Sequence, residues 1–347
     1  KNVHLQKALF MILRGKILII LLMLCFAFKT NFYAQNSSNQ SIEMIQPKFL
    51  KAGDTLAIVA PSGILKNRQS EVNQAIDLLK GWGLHVVIGK NVFSKDDHFA
   101  GTDEQRCEDL QGAMDDPKIS AIWCARGGYG TVRILDKLDY TKFRQNPKWL
   151  IGYSDITALH NQFHNKGFQS LHGLMCVSLT KDLNEIKESV STFKSTIFGK
   201  PVNYTLVGSQ YNRVGESSGQ LVGGNLTILH TMLGSETSID TSGKILFIEE
   251  IGEYKYHIDR MLQSLKRAGY FENLKGLLVG DMSKMRKNTT LWGTSVEQLI
   301  LEALSEYDFP IAFNMPAGHE KDNRSMILGK TIELKVEKNI SSVKYKN

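Results

Sequence analysis

Between residues 55 and 167 the chain alternates short apolar runs with stretches of helical spacing, joined by links of only a few residues. Residues 55–60, 85–88, 119–125 and 149–153 read as strands. Residues 69–81, 102–114 and 155–166 read as helices, and a further helix is predicted from Thr131. Pro61-Ser62-Gly63, Gly81 and Gly167 punctuate the pattern, and Thr102 with Gln105 three residues on forms a helix-opening capping box. Strands and helices taken in turn through short links imply an α/β fold with a parallel sheet covered on both faces. In such sheets ligands bind beyond the carboxyl ends of the strands. Ser62, the loop 127–130 and Ser154 all fall at such ends.

From about residue 214 the pattern changes. Short strands at 219–222, 244–248 and 276–279 alternate with helices near 225–233, 257–268 and 294–306. Residues 331–343 alternate like an antiparallel strand pair. This predicts a second, smaller, mixed α/β domain over 214–347, after a nucleophile-bearing domain over 50–180 and a connection over 181–213. There are no internal repeats.

The net charge of +7 is unevenly placed. Lys1, Lys7, Arg14, Lys16 and Lys29 lie in the first 35 residues, which hold no acid, and the remainder is nearly balanced. That balance is no footprint for nucleic acid. Arg14 and Lys16 before the apolar run 17–28 predict a signal peptide over 1–34, starting at Met11, with cleavage after Phe32-Tyr33-Ala34 and a polar linker over 35–49. The expected location is therefore the periplasm or cell envelope, with no stable membrane span after processing. Cys25 offers a lipid anchor as the alternative, although Leu24 before it is bulky. Cys107, Cys124 and Cys176 are odd in number and widely spaced, which argues against a disulfide framework or a zinc site.

Ser154, in Gly152-Tyr153-Ser154-Asp155-Ile156, sits where a strand turns into a helix. A serine there can be an N-cap, or a nucleophile whose hydroxyl is pushed clear of the backbone. Ile156 stands where the usual elbow has a glycine. Arg126-Gly127-Gly128-Tyr129-Gly130 follows a buried strand and can be an oxyanion loop or a tight turn; it lacks the spacing of a phosphate loop. Residues 245–248 deliver Glu249 and Glu250 at a strand end, as a triad acid or as part of an acidic loop. His319 lies on a Gly/Pro-bounded loop; His160, His164, His172, His230 and His257 have weaker claims as a base, and Ser62 is a rival nucleophile in a turn. A serine nucleophile needs a base, and the base needs an acid to hold its tautomer. Ser154, His319 and a glutamate can fill those roles.

The chain resembles the L,D-carboxypeptidases, the murein tetrapeptide carboxypeptidases of peptidase family S66. The matching stretches are Val59-Ala60-Pro61-Ser62-Gly63, Phe99-Ala100-Gly101-Thr102, Ala125 to Gly130, Gly152 to Thr157, Gly223-Gly224-Asn225-Leu226, Phe247 to Ile251 and Gly318-His319-Glu320. The resemblance implies a flavodoxin-like first domain, a site between two domains, and often a homodimer. It implies Ser154 as nucleophile, Glu249 as acid, His319 as base, and release of a terminal D-alanine from a peptidoglycan tetrapeptide without cofactor or metal. The N–H of Asp155 with that of Gly127 or Gly128 would hold the oxyanion. Arg126 is a candidate for the substrate's free carboxylate, and Tyr129 for a further substrate contact. The alternatives are a branch resembling microcin-immunity peptidases, which cleave peptide or acyl-adenylate amides, and a non-catalytic muropeptide-binding envelope protein.

Overall fold

The computed structural model describes residues 44–200 and 202–346. The predicted signal segment 1–34 and most of the predicted linker lie outside the described residues. Along the first part of the chain run β1 (Thr55–Val59), α1 (Gln69–Gly81), β2 (His85–Ile88), α2 (Asp103–Asp115), β3 (Ile119–Cys124), α3 (Thr141–Gln145), β4 (Trp149–Gly152), α4 (Thr157–Asn165) and β5 (Ser170–His172). Then come α5 (Lys187–Ile197), β6 (Tyr204–Val207), β7 (Gly215–Asn225), α6 (Leu226–Thr231), β8 (Ile245–Ile251), α7 (Lys255–Arg267) and β9 (Gly276–Ser283). The chain closes with α8 (Val296–Ala303), β10 (Ile311–Ala312), β11 (Met326–Leu328), β12 (Thr331–Val336) and β13 (Ile340–Tyr345).

The first sheet has the order β11-β5-β4-β3-β1-β2. Its strands β1 to β5 are parallel, and β11 joins antiparallel, with Ile327 opposite Leu171. Apolar residues run through Ala121–Cys124 of β3 and through β4 because both faces are covered. Trp123 and Ile151 pack on one face with Val72 and Leu79 of α1 and Phe193 of α5. Ile122 and Leu150 pack on the other with Leu110 of α2, Phe143 of α3 and Phe163 of α4. The capping box at Thr102 and Gln105 is present. The edge strand β2 leaves Val87 and Ile88 exposed.

The second sheet has the order β10-β9-β8-β7-β12-β13-β6. Strands β7 to β10 are parallel, whereas β12, β13 and β6 are antiparallel. In α7, Ile258, Met261, Leu262 and Leu265 are buried, an apolar stripe at helical spacing laid on the sheet. The fold is thus α/β, a mainly parallel sheet with a second mixed sheet.

Two expectations differ from the structure. The helix predicted from Thr131 is instead a pair of 3-10 turns, Thr131–Arg133 and Leu135–Lys137. There i to i+3 bonds from Ile134 to Thr131 and from Lys137 to Ile134 satisfy the backbone in place of α-helical ones, the tighter turn used in short connections. Residues 44–49, expected to be linker, are packed. Ile45 bridges to Phe168, and Phe49 stacks on Trp149 at 5.6 Å between ring centroids. No described helix is long and apolar enough to cross a membrane.

Candidate active site

Strand β4 ends at Gly152, and Tyr153 continues extended before the chain turns sharply. Ser154 takes φ of 63°, the left-handed region, which costs a non-glycine residue about 1–2 kcal/mol. A 3-10 turn over Ser154–Ile156 then leads into α4. Two missing side chains make the corner possible. A Cβ on Gly127 would lie 2.9 Å from the Ser154 Cβ and 3.2 Å from its hydroxyl. A Cβ on Gly152 would lie 3.0 Å from Ile156 Cγ1, so Ile156 occupies the space that Gly152 leaves. Gly152 is the strand-side glycine of the usual elbow, and Ile156 replaces the helix-side one.

His319 lies on the loop between β10 and β11. Its Nε2 is 3.0 Å from Ser154 Oγ and its Nδ1 is 2.7 Å from Glu249 Oε2. The carboxylate accepts from Nδ1–H, which leaves the Nε2 lone pair for the serine hydroxyl. Glu249 is fully buried on β8, and its Oε1 has no hydrogen-bond partner among the described residues. Burial pushes the His319 pKa down, but the Glu249 hydrogen bond and the charges of Glu249, Glu250 and Asp281 push harder the other way, and the net shift is upward. The ring of Tyr153 meets His319 edge to face at 5.0 Å. An imidazole held in this way can take a proton from the hydroxyl it faces.

Alternation along β8 sends Glu250 to the other face. There its carboxylate accepts from the N–H groups of Thr227 at 2.7 Å and Ile251 at 2.8 Å, and from Asn225 Nδ2 at 3.1 Å. It serves the start of α6, and burial raises its pKa. Among the described residues, no other histidine is hydrogen-bonded to the serine hydroxyl. His160 bonds Gly152 O at 2.9 Å and Ser170 Oγ at 2.8 Å, and burial holds its pKa near 4. His172 bonds Asn323 Oδ1 at 3.2 Å, with its pKa pushed down to about 3 by burial. The same Asn323 oxygen accepts the Gly318 N–H at 3.1 Å and so braces the His319 loop. His164 is half-buried, with its pKa pushed down to about 4 by burial of the ring, and His257 pairs with Glu253 at 2.6 Å.

The glycine loop is anchored from two sides. The Asp155 carboxylate accepts from the Thr131 N–H at 2.9 Å and from the Ser62 hydroxyl. Ser62 is fully buried in that bond, so this second serine ties the β1 turn to the elbow. Gly63 N–H donates to Gly127 O at 3.0 Å. Arg106 of α2, 1% exposed, donates through Nη1 to Pro61 O at 2.6 Å and Gly130 O at 2.8 Å, and it pairs with Asp103. The sequence reading missed Arg106. Its signal was a charged side chain one turn inside the Thr102 cap, at a position of the helix that faces the sheet. Arg126 is half-buried and donates to Ile64 O. Tyr129 is 47% exposed and leans on Phe99 with ring centroids 5.8 Å apart. Among the described residues, His, Cys, Asp and Glu side chains form no metal-binding cluster.

The arrangement joins a serine hydroxyl, an imidazole and a buried carboxylate on an α/β sheet, and comparison with known proteins shows the family. Residues 56–173 match the LD-carboxypeptidase N-terminal domain and residues 218–334 the LD-carboxypeptidase C-terminal domain. The chain belongs to this family, peptidase family S66, and is a carboxypeptidase-type hydrolase. It is 34% identical to a probable murein peptide carboxypeptidase of Bacillus subtilis over 79% of this chain and 86% of that one. It is 31% identical to the murein tetrapeptide carboxypeptidase of Pseudomonas aeruginosa, over 80% and 92%. The solved muramoyltetrapeptide carboxypeptidase from Oxalobacter formigenes superposes with a TM-score of 0.76 at 28% identity, over 84% of this chain and 99% of that one. An MccF-like protein from Bacillus anthracis superposes with a TM-score of 0.74 at 25% identity, over 87% and 100%.

Proposed function

We propose that this protein is a serine L,D-carboxypeptidase that releases the terminal D-alanine of murein tetrapeptides through Ser154, His319 and Glu249. The observation that carries the reading is the unbroken hydrogen-bonded chain from Ser154 Oγ through His319 to buried Glu249, with Ser154 on a strained corner. His319 Nε2 takes the hydroxyl proton as Ser154 Oγ attacks the carbonyl before the last residue. Glu249 stabilises the resulting imidazolium. We assign the oxyanion to the N–H of Asp155 and one from Gly127 or Gly128, because a helix start favours negative charge and the bare Gly127 lies against the Ser154 side chain. His319 gives its proton to the leaving amine, and D-alanine departs. Water, deprotonated by His319, then splits the acyl-serine ester. Arg126, beside Gly128 and bonded to Ile64 O, is our candidate for binding the substrate's free carboxylate. The basic residues Arg14 and Lys16 before the apolar run 17–28 support a site of action outside the cytoplasm, where murein lies.

The likeness to the MccF-like protein favours a second reading, the same acyl transfer applied to another amide. The names of the relatives at 31–34% identity favour murein. D-alanine release from a muramoyl tetrapeptide tests the proposal. Wild type should release it and Ser154→Ala should not. Cleavage of an aminoacyl-adenylate amide with no D-alanine release would favour the second reading. Binding of the tetrapeptide without cleavage would make the protein a muropeptide-binding one.

A further inference from the structure

Beyond the carboxyl ends of β8 and β9 the chain forms a hollow of about 410 Å³ that the chemistry above does not use. Tyr254, Tyr256 and Trp292 line it together with Asn288, Thr289 and Thr290. We propose that this hollow is the subsite for the muramoyl sugar at the other end of the substrate, an inference that rests on the murein reading.

Position supports it first. The hollow belongs to the strand that carries Glu249, since Gly252 N–H donates to Ser283 O and Arg286 N–H donates to Glu253 O, both at 2.9 Å. These bonds prolong the β8–β9 pairing past the strand ends and hold Tyr254 against Arg286. Tyr254 is five residues beyond Glu249, a distance of at most about 16 Å along extended chain. Cleavage of the last bond of a tetrapeptide leaves three residues between the reacting carbonyl and the sugar, roughly 10–11 Å of extended peptide. The lactyl link adds a few ångströms, which makes the substrate's reach comparable to the chain span from Glu249 to Tyr254.

The lining chemistry is the second support. Tyr254 and Tyr256 stack with centroids 5.5 Å apart and form one aromatic wall. Aromatic surfaces suit the C–H faces of a pyranose, while amides and hydroxyls suit its hydroxyl and acetamido groups. Asn288 supplies an acceptor that lacks a bond. Its Oδ1 is buried and has no partner among the described residues, a state that costs free energy until an N–H or O–H arrives. The ammonium group of Lys255 is spent on the loop itself, donating to Thr294 O at 2.6 Å, so it steadies Trp292 rather than the occupant. Leu291 at the rim is 92% exposed, an apolar side chain left on water. The volume is at the lower end of the range for small-molecule sites, enough for one sugar ring.

The test compares kcat/KM for N-acetylmuramoyl tetrapeptide and for the free tetrapeptide, in wild type and in Trp292→Ala, Tyr256→Ala and Asn288→Ala. Wild type should prefer the muramoyl substrate. Each variant should lose about three- to tenfold on that substrate, the scale of one aromatic or hydrogen-bonded contact, and keep wild-type kcat/KM on the free peptide. Activity on the free peptide doubles as proof that each variant is folded. Equal kcat/KM for both substrates in wild type, or equal losses on both in the variants, would overturn the sugar subsite and leave the carboxypeptidase reading standing. Wild type that releases D-alanine from neither substrate would overturn the murein reading, and this one with it.

Discussion

Replacing Glu249 by Gln removes one charge from the buried end of the hydrogen-bonded chain and keeps the shape. The side chain is fully buried, 2.7 Å from His319 Nδ1. A hydrogen bond to a charged group contributes about 1.5–3 kcal/mol. The attraction between two unit charges about 4 Å apart in protein surroundings is about 4 kcal/mol. These overlap, so the loss of imidazolium stabilisation is about 3–5 kcal/mol, or roughly 10²–10⁴ in kcat/KM. The amide can also present its NH₂ to Nδ1, which would favour the wrong tautomer. Glu250→Gln instead weakens the start of α6, at a cost of about 1–2 kcal/mol in stability with turnover retained. The pH profile gives an independent reading. Reaction needs neutral His319, so kcat/KM falls as pH drops through its pKa. The Glu249 hydrogen bond and charge outweigh burial and hold that pKa above 6.5, so the acid limb of wild type should lie above 6.5. In Glu249→Gln it should move to lower pH. Steady-state D-alanine release across the acid limb measures both effects. A loss below about fivefold, an unmoved limb, or greater damage from Glu250→Gln would refute the assignment.

Gly127→Ala should lower kcat about 100-fold with the melting temperature nearly unchanged, because the new Cβ would press on the Ser154 side chain at 2.9 Å; kinetics beside a thermal melt checks it. Arg106→Gln should destabilise the fold by about 3–5 kcal/mol, since it strips a buried cation from Asp103 and from the carbonyls of Pro61 and Gly130; urea unfolding measures this. His160 and His172 should stay neutral until about pH 4 and pH 3, because burial opposes their charging, and imidazole ¹⁵N shifts would show a normal titration near 6.5 if that account is wrong. Burial raises the Asp281 pKa from 3.8 to about 6, so the folded state holds that proton more tightly than the unfolded chain. The stability it contributes is therefore present below 3.8 and lost as pH rises through 6. Asp281→Asn should lose less stability across that window in melts at matched pH values.

The parts of the site that are local were legible in the sequence. The apolar runs of β3 and β4 fix a parallel sheet because a strand covered on both faces has no polar alternation to show. Ser154 at a strand-to-helix corner and His319 beside Gly318 could be picked out as residue types in context. What depended on register or on distant pairing was not. Glu249 and Glu250 are adjacent and alike, and only the alternation of β8 against β7 and β9 decides which one meets His319. The strained φ of Ser154 is affordable because Gly127, 27 positions earlier, is bare. Strand β11 returns to the first sheet beside β5, a pairing across some 150 residues that no local pattern announces. Arg106 acts through bonds to the backbone of other segments, and Asn323 through bonds to Gly318 of its own loop and to His172 of β5, so their type gave no sign of their partners.

Acylation of Ser154 Oγ is the central step of the proposed mechanism. Mixing wild type with muramoyl tetrapeptide, quenching in acid and mapping the adduct by peptide mass spectrometry reads this directly. The acyl mass should appear on the peptide containing Ser154, and it should vanish in Ser154→Ala. Acyl mass on the peptide containing Ser62, or release of D-alanine at the wild-type rate by Ser154→Ala, would contradict the account.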